Sequence, residues 1–158
     1  ILMNKIFSSP LDLLNKVEED KTNLENALLQ WDVIGIQKSL FNFSVGSYHL
    51  VDWVKTFYPN LESKVYCLLN NDKYIGACRD LCNASKHVEL DVTKGSYSKY
   101  PPVVSDVDLS STHSLVNSSL HSYRLKIQFN DGDRVVAEEV IQKAFDSWKK
   151  FFNDNGVK

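Results

Sequence analysis

The stretch from Asp32 to Pro59, DVIGIQKSLFNFSVGSYHLVDWVKTFYP, decides how the rest of the chain is read. Val33, Ile36, Leu40, Phe43, Leu50, Val54 and Phe57 recur at spacings of three or four, and Ser47 fills the one gap. That period belongs to an amphipathic α-helix. Pro59 closes it, because the residue before a proline is pushed out of the helical region. Such a helix buries its stripe against other helices, so a bundle is expected. Gly35 and Gly46 weaken it locally and mark places where a neighbouring helix comes close.

Toward the N-terminus, Ser9-Pro10-Leu11-Asp12 has the form of a helix start, with a capping hydroxyl, a proline at the first position and a carboxylate. Leu11, Leu14, Val17, Leu24 and Leu28 give that helix its inner stripe, interrupted at Lys21. Glu18, Glu19, Lys21 and Glu25 form its wet side. Toward the C-terminus, Asn60 is an N-cap candidate for a third helix through Leu69. Asn70-Asn71-Asp72 signals a break or kink. A further helix follows from about Lys73 to His87, with Tyr74, Ala77, Cys78, Leu81 and Ser85 inward.

The texture then changes. Val88 to Thr93 alternates like a short strand, and residues 94–114, rich in Ser, Tyr, Pro and Asp, are expected to form a long exposed loop. Tyr97, Tyr100, His113 and His121 make that region a candidate partner surface. Tyr123, Leu125, Ile127 and Phe129 alternate with polar residues as in a half-buried strand. Asn130 to Asp133 is a turn. A last helix, starting between Arg134 and Glu138, carries Val136, Val140, Ala144, Trp148 and Phe151 inward and ends at Asn155-Gly156. The expectation is one domain over residues 1–158, mainly α. It comprises an up-down bundle of four to five helices (about 9–90), the loop, and a β appendage of two or three short strands with the C-terminal helix (about 122–154).

Composition bounds the function. The 158 residues are 43% hydrophobic, enough for a substantial core. Lys+Arg 18 against Asp+Glu 20 leaves −2, which argues against broad non-specific nucleic-acid binding. No apolar run reaches membrane-span length. The first nine residues are too short for a secretory signal, and Met3 is the expected natural start after Ile1 and Leu2. An odd set of cysteines, Cys67, Cys78 and Cys82, suits reduced thiols in a cytoplasmic protein.

The chemistry-bearing stretch is Arg79-Asp80-Leu81-Cys82-Asn83-Ala84-Ser85-Lys86-His87. On a helix Arg79, Asn83 and Lys86 share one face, and Asp80, Asn83 and His87 stack beside them, opposite the apolar side. The preceding long helix offers Asn42, Gly46, His49, Asp52 and Trp53 on a stripe next to its core stripe. Antiparallel packing would bring His49 or Asp52 toward Arg79 and Asn83. Such a group suits metal-independent RNA cleavage: an imidazole for proton transfer, a guanidinium for the charged transition state, and Asn and Asp to orient both. The competing reading is structural: Lys86 and His87 complement a helix C-terminus, and Asp52 ties Arg79 to the neighbouring helix.

Tyr48-His49-Leu50-Val51-Asp52-Trp53 on one helix, followed by a helix ending Arg79 to His87, resembles the HEPN superfamily of small helical bundles. Its members include toxin and antiphage ribonucleases as well as non-catalytic proteins. The resemblance covers about residues 10–90. It implies Arg79 as the catalytic arginine, Asp80 as its polar neighbour, His87 as the imidazole, and a homodimer in which two copies of the motif meet. Seven residues separate Arg79 from His87, one more than the family pattern holds.

Cys78 and Cys82 with His87 lack the spacing of a zinc module. Ser44, Ser47, His49 and Asp52 lack a nucleophile elbow, and no glycine-rich phosphate loop is present. No metal and no cofactor are therefore expected. Two classes remain: a HEPN-like endoribonuclease or RNA-binding protein of a defence or toxin–antitoxin system, and a catalytically inactive protein-interaction module. The first uses Arg79, His87, Asp80 and Asn83, with Lys86, His49, Asp52 and Asn42 contacting substrate or partner.

Overall fold

A computed structural model describes residues 6–86, 101–113 and 121–158. It is mainly α, with a helical bundle carrying a small antiparallel sheet. The elements are α1 (Pro10–Leu29), α2 (Val33–Phe57), a 3-10 turn (Pro59–Leu61), α3 (Glu62–Asn71), α4 (Lys73–Lys86), β1 (Val104–His113), β2 (His121–Phe129), β3 (Arg134–Val136) and α5 (Ala137–Asn155). The expected strand at Val88–Thr93 lies outside the described residues.

Helix α1 starts as its sequence requires. Ser9 Oγ accepts the amide of Asp12 at 3.2 Å, and Asp12 Oδ2 accepts the amide of Ser9 at 3.0 Å. Its buried stripe runs through Leu13, Leu14, Val17, Leu24 and Leu28. The expected Leu11 is instead 40% exposed, because Leu13 takes the inward place. Asp20 fills the gap between Val17 and Leu24, buried and paired with Lys16.

Three residues join α1 to α2, so the helices return alongside each other. Trp31 turns the chain with φ of 56°, a left-handed conformation that usually falls to glycine. Asp32 then caps α2, its carboxylate accepting the Gly35 amide at 2.9 Å. At Gly46 α1 lies tight against α2: a Cβ there would sit 2.8 Å from Val17 Cγ2. On the α5 side, Trp148 Nε1 donates to Ser47 Oγ at 2.9 Å inside the core.

Asn60 does not cap α3. Pro59 starts a 3-10 turn instead, Leu61 is buried, and α3 begins at Glu62 without a side-chain cap. The break at Asp72 separates two helices. Asp72 Oδ1 accepts the amides of Tyr74 (2.9 Å) and Ile75 (3.1 Å), and its Oδ2 accepts Ser147 Oγ of α5 (2.5 Å).

The largest departure lies in the expected 94–114 loop, whose described part contains β1. Its polar composition concealed an alternation in which Val107 pairs across from Ile127 and Leu109 from Leu125. Asp106 and Asp108 fall on the other face, opposite Gln128 and Lys126. The turn to β3 has Gly132 at φ of 97° and the Asp133 amide donating to Asp131 Oδ1 at 2.9 Å. Val136 belongs to β3 rather than to the last helix. Gly156, at φ of 64°, ends α5. One hydrophobic cluster joins α1 to α5 with β2, centred on Phe43, Leu50, Ile75, Ile127 and Trp148. No described helix is long and apolar enough to cross a membrane.

Candidate functional site

Helix α4 is the most enclosed part of the chemistry-bearing sequence. Ile75 to Asp80 are all buried, as is Cys82. Packing from α2, α3, α5 and β1 surrounds it, so the side expected to face water is roofed. The roof is the chain from Pro101 into β1, and Val103 lies over Gly76.

Arg79 is 5% exposed and Asp80 3%. Both Arg79 Nε (3.0 Å) and Nη2 (2.9 Å) donate to Asp80 Oδ1, and Nη2 also donates to the Pro101 carbonyl at 3.1 Å. Asp80 Oδ2 accepts the amides of Val103 (2.6 Å) and Val104 (3.0 Å). The pair therefore pins the start of β1 to α4. Buried charges persist when they are paired and hydrogen-bonded, and this pair combines its mutual contact with three hydrogen bonds to the backbone of residues 101–104.

The other site residues fall elsewhere. Asn83 is half-buried one turn beyond Arg79. Lys86 is the last residue of α4, and His87 lies outside the described residues. Asn42, His49 and Asp52 are exposed on α2. Asp52 pairs with Lys55 at 3.3 Å and does not tie Arg79 down. Tyr48 is the α2 side chain that feels Arg79. Burial and then the Asp52 charge push its hydroxyl pKa up, while the Arg79 guanidinium pulls it down. In the sequence Tyr48 reads as an ordinary bundle aromatic, with no signal of this proximity to Arg79.

The cations are largely occupied within the chain. Lys73 bonds Asp131 at 2.9 Å and also bonds Asp133, which raises its pKa. Arg134 pairs with Asp108, Lys21 with Glu25, and Lys143 with Glu139. A recess of about 360 Å³ beside Arg79 is lined by Asp72, Lys73, Pro101 and Val103. Its cations thus lie beside their own carboxylates. Cys78 is buried, and desolvation pushes its thiol up to about 12. Among the described residues no group of three His, Cys, Asp or Glu side chains is placed to hold a metal ion.

A different feature opens on the neighbouring side of α4. An apolar groove of about 420 Å³ lies between α2, α4 and the sheet, lined by Ile36, Leu40, Phe41, Leu81, Val107 and Leu125. Phe41 is 48% exposed at its rim, and Ile34, about two helical turns earlier on the same face of α2, is 68% exposed. No family model matches this sequence, and no match is found among curated proteins or among solved structures.

Proposed function

We propose that this chain is a catalytically inactive protein-interaction module, built on a HEPN-like bundle and working in the cytoplasm. The observation that carries this reading is the burial of Arg79. The residue is 5% exposed, and its guanidinium is engaged by Asp80 and by the Pro101 carbonyl. A phosphate approaching it would have to displace a carboxylate that also holds two backbone amides. The pairing of Lys21, Lys73, Arg134 and Lys143 with acids of the same chain, with the net charge of −2, weakens the positive field that RNA binding draws on. The open groove beside Phe41 supplies an apolar surface suited to a protein.

The test is to incubate the purified protein with total RNA beside the His87→Ala variant. No cleavage by either protein is expected. Cleavage by the unmodified protein that the variant loses would overturn the proposal and restore the ribonuclease reading in a defence or toxin–antitoxin setting. Sedimentation velocity on the same protein reads whether the partner is a second copy, as the resemblance implies, or a different chain.

A further inference from the structure

We propose that the groove and the outer edge of β1 together accept an extended peptide segment of a partner, with apolar residues at alternate positions and basic residues between them. This rests on the interaction-module reading and specifies the partner's chemistry. Among the described residues the strand order in the sheet is β1-β2-β3, with β2 paired to one side of β1. No described residue pairs with its other edge. At ten residues β1 is long for an edge strand. Beyond the irregularity between Val104 and Asp106, its register with β2 runs unbroken to His113. A row of backbone amides and carbonyls on such an edge is a template for a further strand.

The side chains of an added strand alternate between the two faces of the sheet. Those on the Val107 face point toward the side where Val107, Leu81 and Leu125 line the groove. Val107 is itself 38% exposed, an apolar edge residue without full cover. On the opposite face, the exposed Asp106 has no ion-pair partner among the described residues, whereas Asp108 is held by Arg134. Basic residues at the alternate positions answer that charge. An amphipathic helix would fill the groove but leave the edge amides and carbonyls unused, which is why an extended segment is favoured.

The probe is a fluorescein-labelled peptide of alternating valine and lysine, read by fluorescence anisotropy against the full chain. A second probe has the same sequence with every other amide N-methylated, and a third is an amphipathic helix of alanine, leucine and lysine. Saturable binding of the first is expected, about tenfold weaker for the methylated peptide and for the Val107→Asp protein. Circular dichroism verifies that the variant is folded, and Phe41→Asp serves as a second groove variant. Absence of binding, equal binding of the methylated peptide, or tighter binding of the helix would overturn strand addition. These results are independent of the RNA assay, so the module reading and the peptide proposal fail separately.

Discussion

The guanidinium of Arg79 rests on a single carboxylate oxygen of Asp80, the next residue along the same helix, at 3.0 and 2.9 Å. Neighbours in a helix sequence point about a quarter-turn or more apart, so both side chains lean toward one structure outside the helix. That structure is the segment Pro101 to Val104, which takes one hydrogen bond from Arg79 and gives two to Asp80.

Asp80→Ala leaves a buried cation without its counter-charge and two amides without an acceptor. The expected loss is about 3–5 kcal/mol of unfolding free energy, measured by urea titration. Replacing both residues, Arg79→Met with Asp80→Ala, is expected to cost less than the sum of the single changes, because no lone charge remains buried. Additive losses would show that the two side chains act independently.

Gly46→Ala is expected to destabilise by about 1–3 kcal/mol, since a methyl placed 2.8 Å from Val17 Cγ2 forces α1 and α2 apart. The companion change Val17→Ala in the same chain should recover part of the loss if that contact is the cause. Thermal unfolding of the three variants checks this.

Asp20 is buried and paired with Lys16; desolvation, helped by the Glu19 charge, holds its pKa above the ordinary carboxylate value against the pull of Lys16. A folded-state pKa raised in this way means that protonation favours the fold. The contribution is full below the unfolded value and is lost as pH rises through the folded one. Asp20→Asn is therefore expected to raise the urea midpoint at neutral pH. The gain should shrink as the pH falls through the raised value. A gain independent of pH would point to a cause other than the charge.

Cys67 is exposed, whereas Cys78 and Cys82 are buried. With the Cys78 thiol pushed up to about 12, it stays protonated and shielded at mildly alkaline pH. Iodoacetamide is expected to modify Cys67 rapidly in the folded protein and the other two only after unfolding, as mass spectrometry would show. Rapid labelling of Cys78 in the native state would contradict this packing.

The helices were legible because their signals are local. The three-and-four spacing from Val33 to Val54 needs no knowledge of the rest of the chain, nor do the Ser9–Asp12 capping pair or the stop at Gly156. Strand β1 was not legible. Its Ser and Asp residues resemble a loop until β2 supplies the pairing that orders them. The candidate site shared that difficulty. Sequence spacing correctly gathered Arg79 and Asp80 on one helix but assigned them to water.

By itself, then, the sequence determined the helical elements, their stripes and the stretch where charged groups concentrate, since periodicity and capping act within a few residues. Only the tertiary structure decided which face of α4 is outside. Pro101 to Val104 arrive from more than twenty residues downstream and cover Arg79 and Asp80. Burial depends on what packs against a face, and no local pattern on α4 records that. The same covering chain makes the pair a clasp between helix and sheet.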